Sequence, residues 1–141
     1  MSMQVHLKTI HDSSAAVAWS GPRTVVVDRT PRSGGLGIGF NGGELLLMAI
    51  GASYCNDLFR DAAAFDVQLD QVEIIVNGDW GGEPLHAQNL RYDVKVRSGS
   101  PREKIEALLK HTDEQAEVLN TLRSGTAVKL NNYELSKLPE V

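Results

Sequence analysis

A chain of 141 residues is long enough to bury one core but too short for separate catalytic and binding modules, so one domain spanning 1–141 is expected. The net charge of -4 and a pI near 5.5 supply no basic face for phosphate neutralisation, which argues against a nucleic-acid partner. No run of about 18 apolar residues occurs, and MSMQVHLKTI lacks the basic and apolar regions of a signal peptide, so a cytoplasmic protein with no membrane partner is expected.

Three short β-prone runs come first, Gln4 to Ile10, Ala15 to Trp19 and Thr24 to Asp28, separated by turn-forming residues. They predict a three-stranded antiparallel start. Pro31 to Gly43 follows, with glycine at 34, 35, 37, 39, 42 and 43. A phosphate cradle is one reading of such a loop before a helix, but no Lys-Ser/Thr pair follows, and a glycine-rich turn into the helix is favoured.

From Glu44 to Phe65 there is no proline, and Leu45 to Ile50 are apolar on every side, which predicts a helix enclosed by protein. On its wheel Ser53 shares a side with Ala49, Asn56, Asp57 and Arg60, a polar stripe on a buried helix. Cys55 points the other way, with Met48, Ala52, Phe59 and Ala62, as a small core hydrophobe. It is the single cysteine; an internal disulfide is excluded, no metal cluster forms with the four scattered histidines, and no cofactor is indicated.

Ser53 as a nucleophile needs a base, and no Gly-x-Ser-x-Gly elbow surrounds it; a serine bonded to the Ala49 carbonyl is the alternative. Asp57 and Arg60 read equally as an ion pair or as intersubunit contacts. His111 reads as a candidate base or as a solvated helix-end histidine.

Two strands come next, Gln71 to Trp80 and Asn89 to Arg97. In the second, Leu90, Tyr92, Val94 and Val96 alternate with Arg91, Asp93, Lys95 and Arg97, so one face is wet. Ser100, Pro101 and Glu103 match a capping box with a first-turn proline, and Ile105, Leu108 and Leu109 give the apolar stripe of a second helix running to about Glu114. A further turn or short helix over Gln115 to Arg123 continues the second helix, and a last strand, Ala127 to Leu135, completes the order β-β-β-α-β-β-α-β. Helices between runs of strands indicate α+β.

The segment from Gly42 to Ser53, GGELLLMAIGAS, resembles the OsmC/Ohr family of osmotically inducible proteins and organic hydroperoxide reductases, whose central helix carries P-x-E-L-L-L-A-A-L-G-G-C. The order of elements and the segment Ala116 to Leu122 extend the likeness over nearly the full length. The resemblance implies two curved antiparallel sheets with central helices in an intertwined homodimer. It also implies a peroxidatic cysteine that becomes a sulfenic acid and is resolved by a second cysteine.

Aligning Glu44 to Leu47 without a gap puts the place of the first cysteine at Ser53, and aligning Asn120 with the asparagine of the family's second motif puts that of the second at Ala116; shifting the register by two would use Cys55 instead but loses the match at Ser53 and Glu44. The family's site glutamate maps onto Gly43, with Glu44 the nearest carboxylate, and Arg23 or Arg29 stands for its arginine. Three readings follow. One is an OsmC-like protein without two-cysteine peroxidase activity, binding a small apolar or hydroperoxide-like ligand near Ser53, Asn56, Asp57 and Arg60 at the dimer interface. Another is a hydroperoxide reductase using Cys55 with an external thiol. The third is a structural dimer with no ligand.

Overall fold

A computed structural model describes residues 1–137. Strands β1 (His6–Thr9), β2 (Ala16–Ser20) and β3 (Arg23–Val27) form an antiparallel sheet in the order β1-β2-β3, with Ala18 paired to both Leu7 and Val25. Beyond β3, Asp28 turns inward and gathers the glycine-rich loop. Its Oδ1 accepts the Arg29 N–H at 2.7 Å and the Ser14 hydroxyl at 3.3 Å, and its Oδ2 accepts the N–H groups of Leu36 at 2.9 Å and Ile38 at 3.2 Å. A parallel bridge from Val27 to Phe40 then delivers the chain to the central helix.

That helix, α1 (Gly42–Asp61), starts on a capping box: Asn41 Oδ1 accepts the Glu44 N–H at 2.8 Å, and Glu44 Oε1 accepts the Asn41 N–H at 3.0 Å. It ends earlier than the apolar run suggests. The chain tightens into a 3₁₀ turn over Ala63–Phe65, and Asp66 takes a left-handed conformation at φ 56°.

Strands β4 (Gln71–Gly81) and β5 (His86–Arg97) pair as a long antiparallel hairpin with a register shift between Asn77 and Asp79. Its apolar face, with Val72, Ile74, Val76, Leu90, Tyr92 and Val94, packs on α1, as the alternation requires. Helices α2 (Arg102–Gln115) and α3 (Glu117–Arg123) cover another side of α1. The core is Ile50, Tyr54, Leu58, Ala62, Val67, Leu108, Ala116 and Leu119, fixed at its centre by the Tyr54 hydroxyl donating to the Leu109 carbonyl at 3.0 Å. Among the described residues no helix is long and apolar enough to cross a membrane.

Three expectations need correction. Ser100 does not cap α2: Pro101 holds the N-cap place without a side-chain bond, while Ser100 Oγ accepts the Gln68 N–H at 2.9 Å and so ties α2 to the start of the hairpin. The last strand does not form, since among the described residues 127–135 finds no partner strand and leaves Val128, Leu130, Tyr133 and Leu135 exposed. Within one chain α1 is not enclosed on all sides, with Met48 and Phe59 44% and 51% exposed.

Candidate functional site

The two sides of α1 have separate surroundings. On the side facing α3, Ser53 Oγ accepts the N–H of Val118 at 3.3 Å, satisfying a donor that the first turn of a helix leaves free. Ala116, at the junction of α2 and α3, is fully buried. The two positions that the ungapped alignment equates with the reactive and resolving cysteines thus flank one helix junction. Ser53 serves α3 there.

One turn further along, Asp57 is 8% exposed. Its Oδ1 meets Arg60 NH1 at 3.2 Å, while its Oδ2 is buried with no partner among the described residues. Arg60 also forks onto Asp61, Nε to Oδ1 at 3.0 Å and NH2 to Oδ2 at 3.1 Å. That bond, opposed by partial burial and aided by the nearby carboxylates, raises the Arg60 pKa. Asp61 lies below the usual carboxylate range, chiefly through the Arg60 hydrogen bond. Asn56, exposed on the same stripe, is outside this network of ion pairs. An arginine held by two carboxylates is a structural clamp, with little left for an anionic ligand.

Sequence reasoning missed the partner of His111, because Asp61 and His111 meet only in space. The imidazole Nε2 is 3.4 Å from Asp61 Oδ2, and the ring packs 4.9 Å from Phe65. It is a member of the clamp rather than a solvated helix end.

The other side of α1 opens a cleft of about 510 Å³ against β4, lined by Glu44, Leu47, Met48, Gly51, Ala52, Cys55, Val72, Ile74 and Val76. Cys55 is half-buried in this wall; the expectation of a core thiol is corrected. The core forms where Ile50, Tyr54 and Leu58 meet α2 and α3, and Cys55 lies off that stripe. Gly51 and Ala52 keep the floor low, so the space between helix and strand stays open. The volume falls within the range usual for small-molecule sites.

The remaining candidates lie elsewhere. Arg23 lines a separate apolar groove of about 360 Å³ with Val5, Leu7, Trp19 and Leu45, and Arg29 is exposed in the loop that Asp28 organises. Among the described residues, neither lines the α1–β4 cleft that holds Cys55, and the groove of Arg23 includes neither Ser53 nor Cys55. At position 43, where the family glutamate maps, the Trp80 indole packs against the glycine. An aromatic residue at the hairpin end was the available signal for this contact.

A polar cluster closes the far side of the core. Tyr92 donates to Asp113 Oδ1, which also accepts Arg123 NH2 at 2.8 Å, and the Tyr54 and Tyr92 rings lie 4.8 Å apart. Burial, with the Asp113 charge nearby, pushes the Tyr54 hydroxyl up to about 12, and burial plus the Asp113 bond raises Tyr92 further. Both are hydrogen-bonding and packing groups at neutral pH. Among the described residues no group of acidic, histidine and cysteine side chains is arranged to hold a metal.

The sequence matches the family described as OsmC-like protein over residues 34–131. No curated protein matches it. Among solved structures, an OsmC-like protein from Mycoplasma pneumoniae superposes with a TM-score of 0.77 at 16% identity, covering 87% of this chain and 88% of that one. An organic hydroperoxide resistance protein OsmC from Legionella pneumophila gives 0.59 at 15%, covering 87% and 90%. An OsmC-like hydroperoxide resistance protein from Jannaschia gives 0.54 at 13%, covering 95% and 92%. The shared property at these identities is the fold.

Proposed function

The chain belongs to the OsmC-like family, and from that premise we propose a member without two-cysteine peroxidase chemistry that binds a small apolar or peroxide-derived molecule in a cleft completed by a homodimer. The observation that carries this reading is the α1–α3 junction. Ser53 stands there, accepting the Val118 N–H, the buried Ala116 lies two residues before Val118, and neither residue has sulfur. A serine oxygen has no accessible sulfenate-like oxidation state and a far higher pKa than a thiol, so it cannot replace a peroxidatic thiolate.

Binding is supported by the α1–β4 cleft rather than by the polar stripe expected from sequence. Its lining is almost wholly apolar, and Ser53, Asp57 and Arg60 are engaged in holding α3 and one another. The homodimer is supported by surface that one chain leaves uncovered. Met48 and Phe59 stand out from α1, and Val128, Leu130, Tyr133 and Leu135 project from a β-prone segment with no partner strand among the described residues. A second copy would offer both an apolar cover and a strand edge.

Native mass spectrometry of the purified protein tests the proposal. The expected result is a dimer carrying a small apolar molecule that is lost when Ala52→Trp fills the cleft; a ligand-free monomer would defeat it.

One observation favours a second reading, a thiol-dependent hydroperoxide reductase: Cys55 lies in the cleft wall. Its thiolate would attack the peroxide oxygen, break the O–O bond and release the alcohol, and two equivalents of external thiol would return the sulfenic acid to thiol as water leaves and a disulfide forms. Turnover of tert-butyl hydroperoxide with dithiothreitol that disappears in Cys55→Ser would establish it; absence of turnover in the unaltered protein would eliminate it.

A further inference from the structure

Glu44 is where three depressions meet. It lines the α1–β4 cleft, a second hollow of about 350 Å³ with Asn41, Gly43, Leu47 and Trp80, and a third of about 380 Å³ that includes Val25, Ile38 and Phe40. In each it is the sole charged side chain among the described residues, and no lysine or arginine lines any of them. Trp80 and Phe40 are also large apolar side chains left 50% and 41% exposed. Glu44 is therefore the carboxylate shared by the apolar trough and two adjoining hollows, one lined by Phe40 and the other by Trp80.

Such a junction selects by charge. Aromatic faces attract cations through their quadrupole, and the carboxylate adds Coulomb attraction while opposing an anionic head. We infer that the cleft takes a cationic amphiphile, with an alkylammonium head at Glu44, where the hollows of Phe40 and Trp80 adjoin the cleft, and its apolar chain over Leu47, Met48, Ala52 and Cys55. This rests on the reading that the cleft binds a ligand. It narrows that reading to one class, because a fatty-acid-like anion would place its carboxylate against Glu44. Glu44 Oε1 accepts the Asn41 N–H at 3.0 Å, and among the described residues no hydrogen bond engages its Oε2, which is left for the ligand.

The test is calorimetric titration of the full chain with octyltrimethylammonium, octanol and octanoate below their aggregation concentrations. The ammonium should bind about tenfold tighter than the alcohol, with octanoate weakest. Glu44→Gln keeps a capping-box residue at the start of α1 and should bring the ammonium down to the level of the alcohol. Trp80→Ala and Phe40→Ala should each weaken the ammonium several-fold. Thermal melts verify that each variant folds. If all three probes bind alike and Glu44→Gln changes nothing, the cationic preference is overturned and the ligand-binding reading stands. If none binds and Cys55 is protected from maleimide in a dimer, a second copy fills the cleft and both fall.

Discussion

The indole of Trp80 occupies the space that a side chain at position 43 would need. A Cβ built on Gly43 lies 2.8 Å from Trp80 Cζ2 and 3.3 Å from Cη2, the first well inside van der Waals contact. Position 43 is where the family resemblance places a site glutamate, and the indole leaves no room for such a side chain there. Gly43→Glu should destabilise the protein by about 1–3 kcal/mol through overpacking. In a Trp80→Ala background the same change should cost much less, leaving a coupling of about 1 kcal/mol or more in a double-mutant cycle read by urea unfolding. Additive effects would mean that the two side chains do not compete.

Asp28 makes the glycine-rich loop sensitive to acid. Burial disfavours its charge, but the N–H groups of Ile38, Arg29 and Leu36 and the Ser14 hydroxyl outweigh that, so its carboxyl lies below the usual range. A carboxylate with a lowered folded-state pKa contributes stability above its unfolded-state value, and this is lost as pH falls through the folded-state value. Amide exchange at Leu36 and Ile38 should therefore accelerate relative to the core below about pH 4. In Asp28→Ala it should already be fast at pH 7. Protection that persists in the alanine variant would show that the loop is held by something else.

Tyr92 ties the hairpin to α2 through Asp113, which Arg123 of α3 also holds. Tyr92→Phe keeps the ring contact with Tyr54 and removes only the hydroxyl. It should cost about 1.5–3 kcal/mol, the value of a hydrogen bond to a charged acceptor, measured as a shift in urea midpoint at unchanged slope. No shift in midpoint would reduce the cluster to packing alone.

What could be read from the sequence was what neighbours along the chain determine. The alternation of Leu90, Tyr92, Val94 and Val96 locates β5 because a strand presents successive residues to opposite faces. The ELLL run locates α1, and the element order with its helix motif is sufficient for the family. The misreadings concern residues whose partners are distant. Ser100 fits a cap by local pattern, yet its hydroxyl is taken by the backbone of Gln68. A helical wheel gives the direction of Cys55 relative to Ser53, but not which side of α1 the other elements will cover, and α2 and α3 covered the side with Ile50, Tyr54 and Leu58. The contacts of Trp80 with Gly43 and of His111 with Asp61 likewise depend on the tertiary fold.

The α1–α3 junction allows the alignment to be tested by restoring sulfur. Ser53 already touches the backbone of Val118, two residues past Ala116, so a thiol at position 53 would lie beside the start of α3, where unpaired N–H groups stabilise a thiolate. Ser53→Cys in a Cys55→Ser background should react with peroxide to a sulfenic acid, detected by dimedone labelling. Adding Ala116→Cys should divert that product into an intramolecular disulfide, read as loss of two free thiols on peroxide treatment. Ala116 is fully buried, so the added sulfur should cost about 1–3 kcal/mol of stability through overpacking; melts of the reduced protein measure that separately. Dimedone labelling without disulfide formation would place residue 116 wrongly, and no labelling at position 53 would overturn the ungapped register.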